Sequence, residues 1–128
     1  MPPPKKIIIT DDDEDILTII KLSLEDLDAE IKYCKTGEEM LSEAMHFKPD
    51  LVVLDIMMPE MDGLEALKAL RLIPSLEKVP VIFLTAKAQK KEVEEYKKMQ
   101  GIIGIITKPF DPMQLKDEIL NIWQQYQK

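Results

Sequence analysis

The chain has 128 residues, enough for one domain with a buried core. Its 24 acidic residues against 17 basic give a net charge of −7, which argues against electrostatic binding of nucleic acid and favours binding of cations. A single cysteine, Cys34, excludes an intrachain disulfide and fits a reducing, cytoplasmic setting, and no apolar run approaches the ~20 residues of a membrane helix.

Residues 1–5 read as an N-terminal tail with polyproline character. Residues 6–10 (KIIIT) predict a short buried strand, which runs into Asp11, Asp12, Asp13, Glu14 and Asp15. A helix follows whose apolar face is Ile16, Leu17, Ile20 and Leu24. Asp13, Glu14 and Asp15 crowd its first turn, where the helix dipole favours negative charge. Residues 30–34 predict a weak second strand. Thr36-Gly37-Glu38-Glu39 has capping-box spacing and opens a second helix with Met40, Leu41, Ala44 and Met45, which Lys48-Pro49-Asp50 ends. Leu51-Val52-Val53-Leu54-Asp55 reads as a strand buried on both faces, with a carboxylate at its C-terminal end.

Asp62-Gly63-Leu64-Glu65 is another capping signal, opening a third helix with Leu64, Leu67 and Leu70. Residues 79–84 (VPVIFL) predict a fourth strand ending at Thr85 and Ala86. Residues 89–100 predict a charged helix with a thin apolar stripe of Val93, Tyr96 and Met99. Residues 102–107 (IIGIIT) predict a fifth strand ending at Lys108-Pro109-Phe110. Asp111 predicts the cap of a last helix, with Pro112 at its first position and Leu115, Ile119 and Ile122 as its core stripe. Of the two aromatic residues on that helix, Trp123 and Tyr126, one is expected to pack on the body while the other is exposed. Cys34 is expected in the core or at its edge, and the lone His46 at the surface.

Five strand–helix repeats without a linker predict an α/β fold: a doubly wound, five-stranded parallel sheet of flavodoxin-like order 2-1-3-4-5, with helices on both faces. In such a sheet the C-terminal strand ends share one edge. That edge would gather Asp11, Asp12, Asp55, Thr85 and Lys108. Three converging carboxylates repel one another unless a cation sits between them, and oxygen ligands suit a hard ion such as Mg²⁺. A metal beside Asp55 would neutralise a phosphoryl group arriving on its carboxylate. Lys108 would hold a second phosphoryl oxygen, and the Thr85 hydroxyl and Ala86 amide a third. A salt bridge from Lys108 to Asp55 is expected at rest.

At these residues the chain resembles the receiver domains of two-component response regulators. IIITDDDEDIL is similar to the family's first strand and acidic pair, and LVVLDIMMPEMDG to its phosphoacceptor strand and turn. VIFLTAKA is similar to its Thr/Ser strand end, and ITKPF to its Lys-Pro turn. The resemblance runs from about Lys5 to the end of the sequence. It implies a phosphorelay switch in which a histidine kinase or phosphotransfer protein phosphorylates Asp55. It further implies that Asp12 and Asp55 ligate Mg²⁺ directly, that Asp11 does so mainly through water, and that the Met57 carbonyl is the remaining protein ligand. Lys108 would contact the phosphoryl group, Thr85 would move toward it as the switch, and the Lys108–Pro109 bond would be cis. The family's output face, formed by the fourth helix, fifth strand and fifth helix, would then change its affinity for an unidentified downstream protein. Residues 6–128 would form a single receiver domain with no output domain, a monomer or weak dimer. Its only chemistry would be autocatalytic phosphoryl uptake and self-dephosphorylation.

The sequence departs from the family at Ile105, three residues before the lysine, where many receivers carry an aromatic switch residue. A ring swing cannot be the readout here; backbone shifts around Thr85 and the fourth helix would replace it. Met57 and Lys87 flank the expected path of attacking water and offer no general base, which predicts slow self-hydrolysis. Two other functions compete. A Mg²⁺-dependent phosphohydrolase would place its nucleophile after the first strand, whereas the best nucleophile here follows the third. A pseudo-receiver acting without phosphorylation is disfavoured by the complete set Asp11, Asp12, Asp55, Thr85 and Lys108.

Overall fold

Five short strands, the central ones buried on both faces, set the architecture. The computed structural model describes residues 2–86 and 89–127. Strands β1 (Lys6–Thr10), β2 (Glu30–Cys34), β3 (Leu51–Asp55), β4 (Val81–Thr85) and β5 (Ile102–Thr107) form one sheet in the order β2-β1-β3-β4-β5. Every neighbouring pair is parallel. The helices between and after them are α1 (Glu14–Ser23), α2 (Gly37–Phe47), α3 (Gly63–Arg71), α4 (Lys90–Lys97) and α5 (Leu115–Gln127). Among the described residues no helix is long and apolar enough to cross a membrane.

Successive strand side chains point to opposite faces, so the sheet carries two cores. Ile8, Val52, Leu54, Val81 and Phe83 pack with Met40 and Ala44 of α2 and Leu67 and Leu70 of α3, and Tyr96 of α4 packs against that cluster. Ile7, Ile9, Leu51, Val53, Ile82, Leu84 and Ile106 pack with Leu17 and Ile20 of α1 and Leu115, Ile119 and Trp123 of α5. All five residues of β3, Asp55 included, are buried, because β3 lies at the centre of the sheet with helices over both faces.

The structure corrects several predicted boundaries. β4 starts at Val81 instead of residue 79. Pro80 has no N–H to give a ladder, although its carbonyl still accepts the Val52 N–H at 3.0 Å. α4 spans eight residues, with Lys98 as its C-cap; Met99 lies beyond it yet packs against the core. α5 begins one turn later than expected. The Asp111 carboxylate accepts the Met113 N–H and its carbonyl accepts the Gln114 N–H, both at 2.9 Å, so Asp111 and Pro112 build a separate turn before the helix.

Of the two capping boxes, the one at Asp62 and Glu65 is complete. At α2 only half forms: Thr36 accepts the Glu39 N–H, but the Glu39 carboxylate turns to the Lys35 N–H instead. Trp123 is buried and Tyr126 exposed, and the N-terminal prolines contact the body. Pro4 is buried, and the Pro2 carbonyl accepts the Trp123 Nε1–H at 3.0 Å.

The turn from β3 into α3 is held close behind Asp55. The Gly63 N–H donates to the Ile56 carbonyl at 2.8 Å. A Cβ at position 63 would sit 2.5 Å from the Asp55 carbonyl oxygen and 2.7 Å from Ile56 Cα. Gly63→Ala is therefore expected to lower the urea denaturation midpoint. Overpacking of about 1–3 kcal/mol outweighs a helix-propensity gain of up to about 1 kcal/mol. An unchanged or raised midpoint would show that the turn has room to spare.

Candidate functional site

Parallel strands deliver their C-terminal residues to one edge, and the switch between β1 and β3 leaves a crevice there. Asp11 follows β1 directly, and its N–H donates to the Cys34 carbonyl at the end of β2. Its side chain is fully buried, with Oδ1 accepting the Asp13 N–H at 2.9 Å. Asp13 then caps α1 by accepting the N–H groups of Asp15 and Ile16, so the acidic run divides into site and cap. Asp12, between them, is exposed. Asp55 ends β3 with 2% of its surface exposed, and its Oδ1 accepts the Met57 N–H at 3.3 Å. Carboxylate oxygens of Asp11, Asp12 and Asp55 lie within 4.8 Å of one another.

Lys108 brings the opposite charge from the end of β5. Its Nζ lies 2.5 Å from Asp11 Oδ2 and 3.4 Å from Asp55 Oδ2. The expected resting salt bridge to Asp55 is present, and a closer one to Asp11 accompanies it. The Lys108–Pro109 peptide is cis, as the resemblance implied. Thr85 is buried at the end of β4, in register with Thr107, and its carbonyl accepts the Lys108 N–H at 2.8 Å.

Burial, and after it the charge of Asp11, pushes the Asp55 carboxyl up to about 6, against the pull of Lys108 and the Met57 N–H. For Lys108, burial favours the neutral amine. The hydrogen bonds and charges of Asp11 and Asp55 outweigh it and raise the group above the ordinary lysine range. Both shifts describe one arrangement: two buried acids that share a single cation.

The donor set fits a hard divalent ion. Asp11 Oδ2 is buried, meets Lys108 as an ion pair, and has no aligned hydrogen-bond donor among the described residues. That buried anionic oxygen, paired with the Lys108 ammonium, lies beside two further carboxylates, one of them open to solvent, which suits Mg²⁺ and its retained waters. Asp11, Asp12 and Asp55 are the residues that would hold it.

The remaining predicted residues are distributed around this centre. Met57 is largely exposed beside Asp55, and Ala86 is exposed just after Thr85. Lys87 lies outside the described residues. Ile105 sits two rungs below Thr85, opposite Phe83 and half-buried against the core. It also lines a groove of about 410 Å³ between α4, β5 and α5, together with Lys97, Gly104, Glu118 and Ile122. His46 is exposed on α2, and the buried Cys34 thiol is pushed up to about 12 by burial and then by Glu39 and Glu43, which leaves it unreactive. The sequence reading missed the close approach of Gly63 to Asp55. The Asp-Gly pair after a strand was the available signal, but it reads equally as a plain helix cap.

Comparison with known proteins finds similar sequences and structures. A family model described as "Response regulator receiver domain" matches residues 7–120. The chain is 41% identical over 100 residues to the probable transcriptional regulator ycf29 of Porphyra purpurea, covering 77% of this chain and 47% of that protein. It is 38% identical over 110 residues to the alkaline phosphatase synthesis transcriptional regulatory protein PhoP of Bacillus subtilis, covering 83% of this chain and 43% of that protein. The chain thus spans under half the length of these regulators. Among solved structures, the receiver domain of the Francisella response regulator 1452 superposes with a TM-score of 0.81 at 30% identity, covering 98% of this chain and 99% of that one.

The raised Asp55 value carries a pH signature. The folded state holds this proton more tightly than the unfolded chain, whose carboxyl titrates near its ordinary 3.8. The contribution of Asp55 to stability is therefore present below about pH 4 and lost as pH rises through about 6. In metal-free buffer, Asp55→Asn is expected to be more stable than the parent at pH 7.5, by about 2–3 kcal/mol at most, with the difference vanishing near pH 4. Urea melts at the two pH values check this; an Asn variant less stable at pH 7.5 would show that ionised Asp55 is stabilised in the fold.

Proposed function

The chain belongs to the response regulator receiver domain family, and from that premise we propose that it is a phosphorelay switch, taking a phosphoryl group on Asp55 from a histidine kinase or phosphotransfer protein. The observation that carries this reading is the position of Lys108 Nζ between the buried carboxylates of Asp11 and Asp55. The arrangement can receive a dianionic group because a mobile positive charge is already at hand.

In the transfer, one Asp55 oxygen attacks phosphorus, the bond from phosphorus to the donor nitrogen breaks, and the departing imidazole takes up a proton. Asp11, Asp12, Asp55 and the Met57 carbonyl would hold Mg²⁺, which would supply charge neutralisation at the phosphoryl oxygens. Lys108 exchanges its contact with Asp11 for a phosphoryl oxygen, while the Thr85 hydroxyl and the Ala86 N–H meet the others. The protein adds position and charge; beyond Asp55 itself it contributes little covalent chemistry.

The added charge is about 1.5 to 2 units negative, enough to bias a two-state element. The Thr85 carbonyl holds the Lys108 N–H, so a shift at the end of β4 reaches β5 through a backbone bond. α4 is the element best placed to respond. It has no buried residue and no side-chain cap on its first turn, and packs on the core through Tyr96 against Phe83, so it is more lightly held than the other helices. With Ile105 in place of an aromatic residue, the readout falls to backbone movement and to the face formed by α4, β5 and α5. That face binds the downstream partner.

Incubation with acetyl phosphate and Mg²⁺ is expected to yield one phosphoryl adduct per chain by intact-mass spectrometry, and none in Asp55→Asn. Equal uptake by that variant would overturn the assignment. Met57, apolar and exposed at the mouth of the site, gives attacking water no hydrogen-bond partner. Met57→Asn is expected to shorten the phosphoryl half-life, followed by loss of the adduct with time. A short half-life that the substitution leaves unchanged would remove Met57 from the account of its lifetime.

A further inference from the structure

The N-terminal prolines hold the far end of the chain. Pro2 and Trp123 are 121 residues apart in sequence, and the Trp123 indole N–H donates to the Pro2 carbonyl at 3.0 Å. Pro4, two residues on, is buried. The next two residues are fixed from a different side. The N–H groups of Lys5 and Lys6 both donate to Asp50 Oδ2, at 2.9 and 3.0 Å, and the Lys5 carbonyl accepts the Glu30 N–H at 2.8 Å. A three-proline segment therefore runs between two anchors, one at the start of β1 and one on α5. Proline fixes φ and limits the freedom of the unanchored chain, so closing this span costs little conformational entropy.

α5 needs such a fastening. Its inner stripe is Leu115, Ile119 and Trp123, and Trp123 is the last of its residues that is buried in the core. Tyr126, one turn further on, has its ring centroid 5.9 Å from that of Trp123, tilted by 51°, and is half exposed. An indole buried on an apolar body also needs a partner for its N–H, or it carries the cost of an unmade hydrogen bond. Within α5 the backbone carbonyls serve the helix, and the strap supplies the acceptor.

We propose that residues 2–4 are a strap that clasps the C-terminal turns of α5 to the sheet through Trp123, and so sets one wall of the groove between α4, β5 and α5. Ile122 and Gln125, on the same turns as Trp123, line that groove opposite Gly104 and Ile105. Gly104 leaves no slack there, since a Cβ on it would lie 2.6 Å from Ile122 Cγ2. A small movement of the last turns of α5 thus changes the shape of the groove. The clasp itself is independent of phosphoryl chemistry; only its effect on a partner rests on the function proposed above.

Trp123 is the sole tryptophan, so its emission reports the clasp directly. The test replaces Pro2-Pro3-Pro4 with Gly-Ser-Gly in the full chain. The expected result is a red-shifted Trp123 emission, greater acrylamide quenching, and amide exchange that is roughly fivefold faster in residues 122–127 with α1 and α3 unchanged. Trp123→Phe, which keeps an apolar ring and removes the donor, is expected to speed exchange in the same residues, and combining it with the strap replacement to add little. Phosphoryl uptake from acetyl phosphate stays at the parental level in the strap variant. Unchanged emission and exchange would overturn the strap, as would faster exchange spread evenly over all helices, which would mark a general loss of stability. Loss of phosphoryl uptake in the parent would bear on the proposed function and leave the strap untouched.

Discussion

Two carboxylates buried at one sheet edge, with a third exposed beside them, repel each other in a setting where water screens little. Asp11 and Asp55 are tolerated there because Lys108 lies within ion-pair distance of both. One lysine does not neutralise two acids, and the imbalance is visible in the raised Asp55 carboxyl, which the charge of Asp11 helps to push up. The site is therefore under-compensated at rest. A divalent cation and a phosphoryl group change that balance in opposite senses, and the movable charge is the lysine.

The fold serves this constraint. A parallel sheet brings the ends of β1, β3, β4 and β5 to one edge, and burial of β3 on both faces keeps Asp55 out of water. Close packing of Gly63 against the Asp55 carbonyl fixes the backbone behind the carboxylate. By contrast, the elements on the β5 side are lightly held: α4 buries no residue, and four of the six residues of β5 besides the exposed Thr107 are only half buried. Rigidity lies at the acids and looseness at the face that would report their state. The backbone bond from Lys108 to Thr85 joins the two regions.

Much of this was legible in the sequence because short apolar runs ending in polar residues leave little choice of element. KIIIT, LVVLD and IIGIIT mark their strands to the residue, and the order of elements determines the sheet. The errors fall where local rules compete. Asp111-Pro112 satisfies the pattern of a helix start, yet the same carboxylate closes a self-contained turn. Glu39 has capping-box spacing, but the Lys35 N–H claims its carboxylate. Preference of Lys108 for Asp11 over Asp55 depends on three-dimensional reach between strand ends, which spacing cannot encode. Nor could composition show that a proline-rich start would meet a tryptophan 121 residues away.

The most direct test of the shared-charge arrangement is the Mg²⁺ affinity of the parent and of Lys108→Met, measured by calorimetry at pH 8. Removing a unit positive charge that contacts Asp11 and Asp55 leaves those oxygens more negative. The expected result is tighter Mg²⁺ binding in Lys108→Met, on the order of tenfold. Equal or weaker binding by a folded Lys108→Met protein would contradict it, showing that the lysine does not compete with the cation for the charge of the acids.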